Sequence, residues 1–253
     1  MSRISSLLDY SFNATFKCWK PLVVYVSVFT ASAFSGFLHL LSPVLSLLIS
    51  YLGVQLAVYF GRPLVQSPPP EELYRFIGES NSLKVFTEGA STTWGIILGS
   101  TVISVLLSAL SGAVVLASGI VPMVEDGVKP EELVLRGFFV FLAVSLLWSF
   151  YFYGYFLAFG AALSREGFGG SFAAFVTSYL PSNYLKTLSF GYFKVVTVAT
   201  VILTVTTFMA LVFAVSVVLS PASAVLFYFS SVLFGAFAAA AYSLTTRSEV
   251  TSA

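Results

Sequence analysis

The chain has 253 residues, of which 58% are hydrophobic and only 9% are charged. An ordinary soluble domain has about 45–50% apolar and about 25% charged residues, so water is not the solvent that suits this sequence. The net charge of +1 does not favour nucleic acid as a partner. Cys18 and His39 are the only cysteine and histidine, which excludes an internal disulfide and the usual zinc, haem and iron–sulfur sites. No cofactor is expected.

Six apolar segments predict membrane-spanning helices. Crossing about 30 Å of hydrocarbon needs about 20 residues in a helix, and each segment is free of Asp, Glu, Lys and Arg in its interior. The segments run approximately from Pro21 to Leu41, Pro43 to Phe60, Thr92 to Ile120, Gly137 to Leu163, Val195 to Leu219, and Ala222 to Tyr242. The expected fold is therefore all-α: a polytopic transmembrane bundle of about six spans with additional amphipathic interfacial helices.

Short connectors join the first two and the last two spans. Ser42-Pro43 and Ser220-Pro221 predict two tight helical hairpins. A cleaved signal peptide is the less favoured reading of the first span, because its apolar run continues past Ala31-Ser32-Ala33.

The distribution of basic residues predicts the orientation. With an even number of spans and a cytoplasmic amino terminus, only Lys129 and Arg136 among the lysines and arginines fall outside. This strong bias favours a multi-pass protein of the cell membrane with both termini in the cytoplasm. Trp19, Trp94 and Tyr192 are expected as interfacial anchors at the cytoplasmic ends of spans. The outer loop carries four acidic residues that are better explained by solvation than by cation binding: Glu125, Asp126, Glu131 and Glu132.

A threefold pattern is visible within a single integral membrane domain, residues 1–253, with units at 1–60, 78–163 and 169–243. Each unit would be an amphipathic helix followed by two spans, and chance similarity is the alternative. The apolar faces would be Ile4, Leu7, Leu8 and Phe12; Leu83, Phe86 and Ala90; and Phe172, Phe175, Val176 and Tyr179. A short helix is expected from Pro70 through Ile77, and a second short piece is expected after Pro181.

Intramembrane polar side chains are the candidate functional positions. They are His39, Gln55, Ser100, Ser104, Ser108, Trp148, Tyr151, Tyr155, Thr197, Thr200, Thr204 and Thr207. The serines and threonines recur at helical spacing, which favours hydrogen bonds within a packed bundle over a polar pathway. The tyrosines and Trp148 would take hydroxyl partners from these stripes, or would border a bound lipid or hydrophobic ligand. Gly235 and the Ala238–Ala241 run predict a close-contact face, inside the bundle or against a second copy.

Two motifs resemble a known group of membrane proteins. Ser5-Ser6-Leu7-Leu8-Asp9-Tyr10-Ser11-Phe12 and Gly169-Gly170-Ser171-Phe172-Ala173-Ala174-Phe175, with the repeated pattern, look like archaeal-type six-span proteins. These proteins are similar to the membrane domain that accompanies some glycerophosphodiester phosphodiesterases. In that group catalysis belongs to a separate soluble domain, so the resemblance implies a membrane module without hydrolase activity.

The functional expectation is a non-enzymatic integral membrane protein. It would be a structural, lipid-interacting or complex-forming module, since the spans hold no catalytic constellation and no charge. Its partners would be the lipid bilayer and a membrane or soluble protein, with a homo-oligomer as a further candidate. A channel or carrier for a small or hydrophobic solute is the alternative, and an intramembrane enzyme ranks third.

Overall fold

The computed structural model describes residues 3–34, 42–66, 69–120, 130–214 and 217–250, and within these ranges it contains helices and turns without any strand. This confirms the all-α bundle. The α-helices are α1 (Arg3–Lys17), α2 (Trp19–Phe34), α3 (Ser42–Val65), α4 (Pro70–Glu79), α5 (Ala90–Ala117), α6 (Pro130–Leu163), α7 (Gly167–Thr177), α8 (Pro181–Tyr184), α9 (Phe190–Ala214) and α10 (Ser220–Val250).

Five of the described helices are long and apolar enough to cross a membrane: α3, α5, α6, α9 and α10. They coincide with the second to sixth predicted spans. The first predicted span corresponds to α2, of which 16 residues are described. Its remaining part, together with His39, lies outside the described residues.

Several helix boundaries differ from the prediction. Ser42 and Ser220 are the first residues of α3 and α10, so neither dipeptide is a connector. Proline is the second helical residue in both, where its fixed φ and missing N–H do no harm. Helix α6 begins at Pro130 instead of Gly137 and has 34 residues, which makes it about 51 Å long.

One end of the bundle gathers most of the described charge, and we call it the basic end. Arg62, near the end of α3, forms a 2.7 Å ion pair with Glu166, which follows α6. The Tyr10 hydroxyl of α1 donates to the Phe60 carbonyl of α3 at 2.8 Å. Arg136 lies near the opposite end of α6. The basic side chains of the helix ends and connecting segments on the side of these contacts are Lys17, Lys20, Arg62, Arg75, Lys84, Arg165, Lys186 and Lys194.

Helix α10 forms the centre of the bundle at this end. A Cβ built on Gly235 would lie 2.1 Å from the Ala57 carbonyl oxygen of α3, and one on Gly61 would lie 2.7 Å from the Gly235 oxygen. On the opposite side, a Cβ on Gly160 of α6 would lie 2.5 Å from the Ala238 oxygen. The helices therefore meet backbone to backbone. The face formed by Gly235 and Ala238–Ala241 is buried inside the bundle.

Away from the basic end the packing of the helices is uneven. Large apolar side chains beyond mid-helix are exposed, among them Leu106, Phe141 and Phe208. A Cβ on Gly112 of α5 or on Gly137 of α6 would meet nothing within 4 Å. The opposite end, which we call the far end, is thus exposed along much of α5 and α6, whereas α9 and α10 remain packed there, with the Ser223 hydroxyl donating to the Ala210 carbonyl at 2.8 Å.

The first amphipathic segment is a helix, and of its predicted apolar face Ile4, Leu7 and Leu8 pack against the core whereas Phe12 does not. Leu7, Tyr10 and Ala14 of α1 are buried, whereas Phe12 is 57% exposed and packs against Phe16 at a ring distance of 4.6 Å. The helix is fixed against α4 and α10 by a face of small and aromatic residues. The centre of the buried face is displaced from the prediction toward Tyr10 and Ala14, which leaves Phe12 outside it.

The second amphipathic segment is not an α-helix. Leu83–Phe86 forms a 3₁₀ turn, and Gly89 with φ +80° begins α5 abruptly. Positive φ strains residues with a Cβ, so glycine is suited to this reversal. The amphipathic helix of this region is α4, which begins at Pro70 as expected.

The third segment agrees with its prediction. Phe175 of α7 is buried, and after Pro181 the chain forms α8 and a 3₁₀ turn at Leu185–Thr187. However, α7 packs on α5 and α6, which belong to the second unit, and α1 packs on α10 of the third. The threefold repeat stays a prediction.

We expect Gly235→Ala to lower the stability of the bundle by about 1–3 kcal/mol, because the new methyl group collides with rigid backbone at Ala57. Thermal unfolding in detergent measures this change. Gly112→Ala is the matched control, since it adds the same group to open space and removes a flexible helical glycine. Equal melting temperatures for the two variants would contradict the close α3–α10 contact.

Candidate functional site: two grooves between the spans

Gln55 fastens the Leu83–Phe86 turn to the bundle. Its side chain is fully buried, and its amide nitrogen donates to the carbonyls of Val85 at 2.9 Å and Glu88 at 2.7 Å. Its amide oxygen accepts a hydrogen bond from the Thr93 hydroxyl at 2.5 Å. All three hydrogen bonds of this amide are made to other groups of the same chain. Gln55 is therefore a structural anchor instead of a solute ligand.

Serines of α5 meet tyrosines of α6, as the sequence suggested. The Ser104 hydroxyl donates to the Tyr151 oxygen at 3.2 Å, and Ser100 forms a side-chain hydrogen bond with Tyr155. The row of α5 serines that contact α6 ends at Ser104, because Ser108 is exposed on the far half of α5. Packing therefore explains Ser100 and Ser104, and it does not explain Ser108.

A cluster of tyrosines surrounds Gly154 of α6. The hydroxyls of Tyr179, Tyr184 and Tyr192 donate to the carbonyls of residues 151, 150 and 153 at 3.1, 2.9 and 2.8 Å. A Cβ at Gly154 would lie 2.7 Å from the Tyr184 ring, so only glycine fits without a shift. The sequence analysis did not predict this cluster. Its one indication in the sequence is the unusual position of Gly154 between Tyr153 and Tyr155.

Tyr192 is not the interfacial anchor that the sequence predicted. It is fully buried, and its hydroxyl also accepts a hydrogen bond from the Leu157 amide at 3.1 Å. The hydroxyl thus lies between the Tyr153 carbonyl and the Leu157 amide, which are one turn apart in α6. Such an insertion beside the helical hydrogen-bond ladder is a recognised cause of bending. Trp19 and Trp94, in contrast, are exposed at helix starts, as expected.

The threonine stripe of α9 lines an open groove instead of a packed contact. Thr197, Thr200 and Thr204 are exposed, and they border a space of about 540 Å³ between α6, α9 and α10. We call it the side groove. Its other walls are mostly apolar and aromatic, with Ser149, Phe152, Tyr153, Tyr155, Phe156, Val196, Val201, Leu203 and Phe234.

A second open space, which we call the central cavity, lies beside the side groove. It has a volume of about 500 Å³ and is lined by residues of α2, α3, α6, α9 and α10, including Tyr25, Gly53, Thr207, Ser230 and Ser231. Tyr155, Leu203 and Phe234 line both spaces, so these three side chains form the shared wall. Within the α9–α10 contact the hydroxyl oxygens of Thr206 and Ser230 are 2.9 Å apart, and Thr206 lies outside the predicted stripe.

Trp148 lies beside the tyrosines but outside both spaces. Its ring contacts Tyr151 edge to face at 5.8 Å, and its side chain is half-buried. Within the described ranges, no group of three or more His, Cys, Asp or Glu side chains could hold a metal ion. Cys18 is buried and its thiol donates to the Ile77 carbonyl, and burial raises its pKa to about 11.

We expect Gln55→Met to destabilise the protein by about 1–3 kcal/mol, because two loop carbonyls lose their buried donor. The Leu83–Phe86 turn should then open, and trypsin should cleave after Lys84 faster than in the wild type. Thr93→Val, which removes only the bond to the Gln55 oxygen, should have a smaller effect. Unchanged cleavage at Lys84 in Gln55→Met would show that the turn does not depend on this amide.

No protein-family model, curated protein or solved structure matches this chain. The resemblance to six-span membrane modules stays a prediction, and functional proposals rest on the geometry of the grooves.

Proposed function

We propose that this chain is a non-enzymatic, multi-pass protein of the cell membrane with both termini in the cytoplasm, and that it binds a lipid chain in the side groove. The observation that carries the proposal is an open groove between three membrane-length helices, with apolar walls and a line of threonine hydroxyls. The gathering of lysines and arginines at the basic end supports a cytoplasmic assignment for that end.

The depth of the groove favours a lipid chain over a headgroup. Thr200 lies ten residues after the start of α9, about 15 Å along the helix, and Thr204 lies about 6 Å further. With the start of α9 at the membrane surface, the groove is near the middle of a hydrocarbon layer about 30 Å thick. At this depth the protein is surrounded by lipid acyl chains. An acyl chain fills an apolar groove without giving up any hydrogen bonds of its own.

The size and lining of the groove fit an elongated apolar ligand. Its volume of about 540 Å³ is within the range of about 300–1,000 Å³ that is usual for ligand pockets. Phe152, Phe156 and Phe234 offer ring faces to a chain. The threonine hydroxyls tolerate this environment because a helical threonine has carbonyls of its own preceding turn within reach.

The absence of charge from the spans supports the non-enzymatic part of the proposal. None of the described membrane-length helices has an acidic or basic residue in its apolar interior, and general acid–base catalysis needs titratable groups close to the reacting bond. Gln55, Ser104 and Tyr192, three of the buried or half-buried polar residues, use their side chains in helix-to-helix and helix-to-turn hydrogen bonds.

We expect Thr204→Trp to reduce lipid occupancy of the side groove severalfold, because the indole fills the space between α9 and α6. A photoactivatable phosphatidylcholine in proteoliposomes, followed by mass spectrometry of the crosslinked peptides, measures this occupancy. Wild-type crosslinks should concentrate on the groove faces of α6, α9 and α10.

Val205→Trp is the matched control, since Val205 is exposed on α9 but does not line the groove. It should leave the crosslinking pattern unchanged. Crosslinks spread evenly over all exposed helix faces, or equal losses in the two variants, would mean that lipid only surrounds the protein and does not occupy a site.

A carrier or channel for a small solute is the second candidate function. It is favoured by the central cavity, which has hydroxyls from Thr207, Ser230 and Ser231 and is separated from the side groove only by side chains. A solute could enter from the side groove if Tyr155, Leu203 and Phe234 moved apart.

In proteoliposomes, a carrier should give a flux of labelled glycerol above that of empty vesicles. The triple change Thr200→Val, Thr204→Val and Thr207→Val should abolish that flux, because it removes hydroxyls while it keeps side-chain volume. Flux no higher than that of empty vesicles for the wild-type protein would contradict glycerol transport and leave the lipid-binding proposal in place.

A further inference from the structure

Tyr25 of α2 has a buried hydroxyl that faces the central cavity. Its side chain is 3% exposed, and its hydroxyl has no hydrogen-bond partner within the part of the chain that the structure describes. The hydroxyl oxygen lies 4.0 Å from the position that a Cβ on Gly53 would occupy, and both residues line the cavity. A buried hydroxyl without a partner is unfavourable, so Tyr25 is a donor available to a ligand in the cavity.

Ser231 of α10 provides an acceptor beside the same glycine. Its hydroxyl oxygen lies 3.2 Å from the position of a Cβ on Gly53, and it also lines the cavity. The Ser231 hydroxyl donates to the Phe227 carbonyl at 2.9 Å. Because its hydrogen already has a partner, the Ser231 oxygen offers lone pairs to a ligand. One donor and one acceptor therefore border the space that Gly53 leaves free.

The rest of the cavity is uncharged. Among the described residues that line it there is no Asp, Glu, Lys or Arg. Tyr25 lies six residues after the start of α2, about 9 Å along the helix from the exposed Trp19. A phosphate at this depth would lose its hydration without gaining a counter-charge, so a phospholipid head does not fit. Aromatic side chains form much of the wall: Phe29, Tyr155, Phe159, Phe227 and Phe234.

These features select an uncharged ligand that carries a hydroxyl group. A hydroxyl can accept from Tyr25 and donate to Ser231 at the same time, whereas a carbonyl can only accept and a hydrocarbon can do neither. The aromatic wall suits an apolar body attached to that hydroxyl. The volume of about 500 Å³ is within the range of about 300–1,000 Å³ that is usual for ligand pockets.

We propose that the central cavity binds the hydroxyl end of an uncharged lipid, such as a long-chain alcohol, with Tyr25 as the donor and Ser231 as the acceptor. The proposal does not depend on the side groove, because neither residue lines that groove. It also differs from glycerol transport, because the ligand has an apolar body that the aromatic wall holds in place.

Photoactivatable probes test the proposal on the protein in nanodiscs of phosphatidylcholine. The probe is a long-chain alcohol with a diazirine in its chain, and the matched probes are its methyl ether and the corresponding hydrocarbon. Mass spectrometry of the labelled peptides locates each label. We expect the alcohol to label the cavity wall about tenfold more than the hydrocarbon, because only the alcohol makes hydrogen bonds there.

Tyr25→Phe removes the donor and keeps the ring. It should reduce labelling by the alcohol to the level of the methyl ether and leave labelling by the hydrocarbon unchanged. Tyr51→Phe is the matched control, since Tyr51 packs against Trp94 at a ring distance of 5.4 Å and does not line the cavity. Gly53→Leu fills the space beside Tyr25, so it should reduce cavity labelling by all three probes.

Thr204→Trp, which blocks the side groove, should leave labelling of the central cavity by the alcohol unchanged, so the two lipid proposals can fail separately. Equal cavity labelling by the alcohol and the hydrocarbon, or equal losses in Tyr25→Phe and Tyr51→Phe, would overturn the proposal. Loss of the alcohol label in the presence of excess glycerol would assign the cavity to a small solute and would overturn it as well.

Discussion

The contact between Gly235 of α10 and the backbone of α3 at Ala57 is the constraint on which the bundle depends. In lipid there is no hydrophobic force between helices, so association relies on close packing and on hydrogen bonds. Close packing needs residues without bulk, and α10 supplies Gly235 and an alanine run against α3 on one side and α6 on the other. Beside this crossing, Arg62 of α3 pairs with Glu166, which follows α6, at 2.7 Å.

Polar side chains reinforce the same end of the molecule. Gln55 holds the turn before α5, and the tyrosines around Gly154 tie α7, α8 and α9 to α6. Water does not compete for hydrogen bonds in the interior of the bundle, so these bonds fix the angles between the helices. In the far half, hydrogen bonds from Ser223 to Ala210 and from Ser230 to Thr206 hold α10 to α9, whereas the exposed faces of α5 and α6 are left to lipid.

The fold was largely predictable because membrane thickness sets the length of a span. Uncharged apolar runs of that length can be recognised directly in the sequence. The sites were less predictable, since helical spacing tells which residues share a face but not what that face meets. Ser104 and Thr204 belong to similar stripes, yet one contacts Tyr151 and the other borders an open groove. Tyr192 sits where an interfacial anchor would sit, and only its bonds to α6 reveal its different role. The turn before α5 depends on Gln55, which is distant in the chain.

The length of α6 has a consequence for the surrounding bilayer. Its uncharged portion after Gly137 is about 40 Å long, whereas an average hydrocarbon layer is about 30 Å thick. A helix with this excess must lean away from the membrane normal or draw thicker lipid around it. The hairpin of α5 and α6, joined at its tip by the hydrogen bond from Arg136 to the Ser118 carbonyl, would lean as a unit. Bilayer thickness would then set how far α6 leans from α9, and so how much room the side groove between them offers.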